Sequence, residues 1–176
     1  MPFMPVDAQA AHPMPSMKHK PCPHCKKTGN LNGHGYLRGY GDGTDNHAVR
    51  GRRIYCSNRG RRGGCGRTHS YFLASVIPKS SVSATAIWCF LSLILAGFSR
   101  RVAHKKSLAV NTSRRIWARC VKAQGTLRHN LCTLAQPPPT VFVVPFLQVI
   151  RHLVDAFPLA SNPIAAYQSA FQSAFL

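Results

Sequence analysis

Between Pro21 and His69 the chain carries two pairs of cysteines: Cys22-Pro-His-Cys25, and Cys56 with Cys65, the second pair having eight residues between its members. Four thiolates about 2.3 Å from a tetrahedral ion satisfy a structural zinc site, and a Cys-x-x-Cys turn presents two of them from one end of a hairpin. The pattern points to a closed zinc ribbon with Cys22, Cys25, Cys56 and Cys65 as ligands and Zn2+ as cofactor. His24 and His69 are substitute ligands, and the long second spacing leaves the fourth position open between Cys65 and His69. A Cys-x-x-Cys pair can also be a thioredoxin-like redox couple, but that motif needs a strand before it and a helix after it. Here Lys26-Lys27-Thr28-Gly29-Asn30 and a glycine-rich run to Gly43 follow, which do not make that helix. Seven cysteines, an odd number, behind a first stretch lacking a secretory apolar run argue against a disulfide framework.

The residues between the pairs read as strands. Leu31 to Tyr40 alternates loosely, Gly41-Asp42-Gly43-Thr44-Asp45-Asn46 is a turn, and Val49–Tyr55 and Thr68–Leu73 are two further strand candidates. So small a sheet cannot bury enough apolar surface to fold alone. The metal is expected to supply much of its stability.

Charge restricts the partner. The chain has 23 Lys and Arg against 4 acids, a formal charge of +19. Such an excess calls for a polyanion, and nucleic acid is the simplest one. Twelve basic residues fall in 1–75, ten in 76–136 and only Arg151 in 137–176, so the anion-binding part is expected to end near Gln136. A zinc ion with four thiolates carries −2, and two or three nearby cations offset it. Arg52, Arg53, Arg61, Arg62 and Arg67 exceed that need and are candidate phosphate contacts. The acids are all Asp: Asp7, Asp42, Asp45 and Asp155. Two-metal polynucleotidyl transfer needs several convergent carboxylates, so no enzyme is expected here.

Residues 77–136 read as helical. Pro78 and Ser80-Ser81 precede an uncharged apolar run from Val82 to Ser99, which is short for a membrane span and diluted by serines, so a central buried helix is expected. Gly97 ends it, and Arg100–Leu108 is a short basic segment. Asn111-Thr112-Ser113 is a helix-start cluster for a helix over Arg114–Gln124, with Ile116, Trp117, Cys120 and Val121 on its back. This order predicts a helix-turn-helix, with Ser113, Arg114, Arg115, Arg119 and Lys122 facing nucleic acid. Cys89, Cys120 and Cys132 fall at apolar helical positions and read as core thiols. Pro137-Pro138-Pro139 is a stiff break. Beyond it, Phe146 to Phe157 and Ile164 to Phe175 form two nearly uncharged apolar stripes, the second behind an Asn162-Pro163 cap. They can cover the bundle in cis or pair between chains. Pairing as a homodimer is the expectation, since single helix-turn-helix readers commonly bind as dimers.

Cys22-Pro-His-Cys25, the glycine-rich hairpin, Arg53-Ile54-Tyr55-Cys56, Cys65-Gly66-Arg67-Thr68, then a serine-led and a tryptophan-bearing helix resemble the N-terminal zinc ribbon plus helix-turn-helix of bacterial insertion-element transposases. The resemblance covers about residues 20–130. It implies recognition of element ends or target DNA, with catalysis supplied by a separately encoded subunit. The second knuckle departs from the family, where two residues are usual between its cysteines.

The expectation is therefore a small α+β protein. It comprises a disordered tail at 1–20, a zinc ribbon of three short antiparallel strands at 21–76, a helix-turn-helix region at 77–136 and a Pro-led helical tail at 137–176. It is read as cytoplasmic, without membrane contact, and as a DNA-binding accessory factor or element repressor. The alternative is a zinc-ribbon RNA-binding or ribosome-associated protein.

Overall fold

The computed structural model describes residues 3–4, 17–39, 47–61, 63–108, 112–139 and 142–176. The three expected strands form: β2 (Leu31–Gly39), β3 (Ala48–Cys56) and β4 (Thr68–Leu73) make an antiparallel meander. Leu31 lies opposite Cys56, and Tyr55 opposite Thr68, so both β-ladders run to the metal end of the sheet. The turn expected at residues 41–46 lies outside the described residues.

One strand was not anticipated. Phe3–Met4, within the stretch expected to be a disordered tail, forms β1 and pairs in parallel with β4, giving the order β1-β4-β3-β2. Phe3 is fully buried, and Met17, in a short 3-10 turn at Met17–His19, joins the small core beneath the sheet. That core also contains Cys22, Leu31, Ile54, Cys56, Tyr71 and Leu73. Two of its seven members are metal-ligand candidates, so the apolar core and the metal centre are one object. Gly51 allows β3 and β4 to close over it, because a Cβ there would stand 2.1 Å from the Tyr71 carbonyl oxygen.

Five helices follow: α1 (Ala84–Leu95), α2 (Arg100–Ser107), α3 (Ser113–Leu131), α4 (Pro145–Ala156) and α5 (Pro163–Phe171). Ser83 Oγ accepts from the Ala86 N–H to start α1. Gly97, at φ +91°, ends it, with Phe98 N–H donating to the Leu93 carbonyl and Gly97 N–H to that of Ile94. α1 buries Ala84, Ile87, Phe90, Leu91 and Ile94, one face at helical spacing, at the centre of the large core. No helix among the described residues is long and apolar enough to cross a membrane.

α3 runs seven residues past the expected end at Gln124, through Gly125, because Leu127 and Leu131 continue the buried stripe of Ile116 and Cys120. Of the three thiols expected in the core, Cys120 alone is buried, and burial pushes it up to about 12; Cys89 and Cys132 are exposed. α2 packs chiefly on α1, and α3 on α4, where Trp117 meets Phe146 edge-on at 5.3 Å.

The C-terminal stripes are covered within the chain. Phe146, Ile150, Leu153, Ile164, Tyr167 and Phe175 enter the same core as α1 and α3, so the faces expected to pair between chains are occupied in cis. α5 also fastens the sheet to the bundle. The fully buried Gln168 donates to the carbonyls of Ala74 (2.6 Å) and Val76 (3.0 Å), and its Oε1 accepts from the Phe175 N–H (3.0 Å). Arg50 of β3 donates to the Ile77 carbonyl at 2.9 Å, a second tie across the same junction.

Gln168→Ala strands these two carbonyls and the N–H in a dry interior, at about 1–3 kcal/mol for an unsatisfied group. A loss of about 3 kcal/mol is expected in urea denaturation, with the metal still bound.

Candidate metal centre and basic surface

The four cysteines converge at one end of the meander. Cys22 Sγ lies 3.7 Å from Cys65 Sγ, Cys25 Sγ lies 3.8 Å from Cys56 Sγ, and all four sulfurs lie within 4.8 Å of one another. Four sulfurs about 2.3 Å from a tetrahedral centre stand about 3.8 Å apart. The cluster can hold a metal ion.

The backbone shows why an eight-residue spacing still makes a knuckle. At the first pair, Lys26 N–H donates to the Cys22 carbonyl and Cys22 N–H to that of Lys27, each at 2.9 Å. At the second pair, Gly66 N–H donates to the Cys56 carbonyl and Cys56 N–H to that of Arg67, also at 2.9 Å. The residue after the second cysteine is left-handed in both, Lys26 at φ +63° and Gly66 at φ +71°. The knuckles are thus hydrogen-bonded alike. The extra residues leave between Ser57 and Gly64, whose N–H donates to the Ser57 carbonyl at 3.0 Å. Cys56-Ser57 and Gly64-Cys65 then act together as a Cys-x-x-Cys turn with an excursion inserted at its middle. Only glycine fits at 64, because a Cβ would meet the Ser57 carbonyl oxygen at 2.2 Å and Cys56 Sγ at 2.8 Å.

This geometry makes Cys65 the fourth sulfur. His69 stands behind the cluster, its Nε2 3.3 Å from Cys22 Sγ, positioned to orient that sulfur rather than replace one. His24 is exposed. Burial disfavours the Cys22 thiolate, but the N–H groups of Cys25 and His24 and the neighbouring thiols support it, and the balance lowers its pKa to about 6. Burial pushes Cys56 up to about 12, with the other sulfurs adding to the rise against the Cys65 N–H. The Cys22 proton leaves readily and the Cys56 proton resists, because burial and the neighbouring sulfurs oppose charge there. A divalent cation removes that conflict.

Basic residues surround the centre and continue onto the helices. Lys26, Lys27, Arg53, Arg59, Arg61 and Arg67 are exposed around the ribbon; Arg62 lies outside the described residues. Arg52 is half-buried, stacked 4.6 Å from the centroid of the Tyr36 ring and donating to its hydroxyl. Arg114, Arg115 and Lys122 are exposed on α3, while Ser113 and Arg119 are half-buried. Arg100 of α2 stacks over Trp117 of α3 at 5.3 Å. Among the described residues the ion pair formed is Arg151 to Asp155, at 3.0 Å within α4. Arg53, Arg61, Arg67, Arg114, Arg115 and Lys122 therefore have no carboxylate partner among the described residues. Sequence reasoning singled out these residues from local charge, but it missed the structural use of Arg50 and the role of Gly64. The glycine pair Gly63-Gly64 was the available signal.

No family model matches this chain, and no match is found among the curated proteins or the solved structures.

Cys65→Ser is expected to abolish stoichiometric metal binding in chelator competition. His69→Ala should retain the metal and weaken it about 10–100-fold, as loss of an outer partner does. Protons compete for the sulfurs, so affinity should fall as pH drops, most steeply once Cys22 reprotonates below about 6.

Proposed function

We propose that the chain is a zinc-dependent DNA-binding protein. The observation that carries this reading is the cationic surface, without carboxylate partners among the described residues, spread over a four-sulfur centre and over α2 and α3. Four thiolates within tetrahedral reach suit zinc, whose filled d shell imposes no other geometry. The ion would hold the two knuckles together and set the positions of Arg59, Arg61 and Arg67 around them. It would have no chemical step to perform.

In this reading Arg53, Arg61 and Arg67 meet phosphates from the ribbon. α2 and α3 act as a helix-turn-helix, with Ser113, Arg114 and Arg115 at the groove and Arg119 and Lys122 along the backbone. The stacking of Arg100 on Trp117 supports it by tying the two helices at one end. With the resemblance to insertion-element transposases, the role proposed is a transposition accessory factor or element repressor that works beside a separately encoded catalytic subunit.

Fluorescence anisotropy with labelled duplex DNA over a salt series tests the proposal. Phosphate contacts release counterions, so log K should fall linearly with log salt. Arg114→Ala with Arg115→Ala should reduce the slope by about 2, roughly one per lost contact. Tighter binding of structured RNA than of duplex DNA at matched salt would replace this reading with an RNA-binding one.

A further inference from the structure

The four sulfurs of the cluster differ in access. Cys22 and Cys56 are buried, whereas Cys25 and Cys65, one from each knuckle, are half-buried. Each accessible sulfur has its close contact in the opposite knuckle: Cys25 Sγ lies 3.8 Å from Cys56 Sγ, and Cys65 Sγ 3.7 Å from Cys22 Sγ. The backbone supports this crossed arrangement. The Cys65 N–H donates to Cys56 Sγ at 3.4 Å, and the missing side chain of Gly64 leaves room for that sulfur. The surroundings are cationic. Lys27 reaches from the first knuckle to the second, where a Cβ on Gly63 would stand 3.1 Å from its Nζ, and Arg59, Arg61 and Arg67 are exposed around them.

Thiolates that are accessible and ringed by cations are the ones oxidants attack. We infer that the cluster is a peroxide-responsive switch, which on oxidation forms two disulfides across the knuckles, Cys25–Cys56 and Cys22–Cys65, and releases its metal. The Cys25 thiolate attacks an oxygen of hydrogen peroxide, the O–O bond breaks, and hydroxide departs, leaving a sulfenic acid. The Cys56 thiolate then attacks the Cys25 sulfur and displaces a second hydroxide. The sulfur pair has lost two electrons, and one peroxide has become two hydroxides. Cys65 and Cys22 repeat the sequence with a second peroxide, and the divalent ion departs without changing oxidation state. Each pair closes to about 2.05 Å as it does so. Loop closure alone would favour Cys22 with Cys25, near neighbours in the chain, so crossed pairing is the signature of the folded cluster. It also keeps the knuckles joined once the metal has gone, so that reduction by a dithiol restores the site. The inference rests on the metal-centre reading and is independent of the nucleic-acid one.

The test uses the zinc-loaded full chain carrying Cys89→Ser and Cys132→Ser, which removes the exposed thiols outside the cluster. Hydrogen peroxide is added, released zinc is read with a chromogenic chelator, and disulfides are mapped by mass spectrometry of unreduced tryptic peptides. Trypsin leaves Cys22 and Cys25 on one peptide and separates Cys56 from Cys65 by cutting at Arg59, Arg61 and Arg62. One zinc should be released per about two peroxides. The peptide with Cys22 and Cys25 should be bonded to both of the others, with fragmentation placing Cys25 on Cys56 and Cys22 on Cys65. Dithiothreitol with added zinc should restore the metal content. Pairing within the knuckles, or sulfinic acids in place of disulfides, overturns the inference, as does zinc retained through a large excess of peroxide; in each case the metal centre itself stands. A chain that binds no zinc overturns both. If the double variant does not fold, wild type mapped in the same way decides.

Discussion

The convergence of four sulfurs is the constraint on which the rest of the ribbon depends. Cys22 and Cys56 belong both to the sulfur cluster and to the seven-residue core under the sheet. Without a cation these buried thiols conflict, as the opposite displacements of Cys22 and Cys56 show. With a cation the same burial becomes favourable, because the charge is balanced where water is excluded. Sheet and metal are therefore expected to form together. The matched knuckle hydrogen bonds carry that coupling into the backbone, from Cys22 and Lys27 on one side to Cys56 and Arg67 on the other.

The coupling extends to the bundle through few atoms. β4 leads to Ala74 and Val76, whose carbonyls are held by Gln168 of α5, and β1 is reached from the same helix end, where Phe3 N–H donates to Gln172 Oε1 at 2.8 Å. The two ends of the chain thus close the junction between sheet and helices. A buried glutamine is costly unless satisfied, and here both ends of the amide are in use. The geometry is specific where apolar packing alone would tolerate sliding.

What was legible in the sequence followed from local signals. The strands at 31–39, 48–56 and 68–73 announced themselves by alternation and by the cysteines at their ends, the end of α1 by Gly97 and the start of α5 by Asn162-Pro163; α1 starts behind Ser83 and not Ser80-Ser81, because Ser83 Oγ is the group that accepts from the Ala86 N–H. The misses were long-range. β1 has only two residues and exists because β4 offers an edge, which no local pattern encodes. α3 passes Gly125 because packing of Leu127 and Leu131 outweighs a glycine's propensity cost of about 1 kcal/mol. The second knuckle looked too long because spacing was counted along the chain, whereas the Ser57–Gly64 hydrogen bond shortens it in space. Cys89 and Cys132 fall near the apolar stripes in sequence, yet both are exposed.

The uneven charge has a structural counterpart. The helices that carry cations, α2 and α3, could not expose so many of them and also enclose an apolar core unaided: α2 buries Ala103 alone along its length. The nearly neutral α4 and α5 supply the missing apolar surface: Phe146, Ile150, Leu153, Ile164, Tyr167 and Phe175 enter the same core as α1 and α3. Asn130 near the end of α3 donates to the Tyr167 hydroxyl at 2.7 Å, a polar contact that pins α5 to the same helix. The C-terminal region is therefore the backing of the cationic surface. Its lack of charge follows from that position, since a cation on either stripe would be buried without a counter-ion in a chain that has almost none to offer.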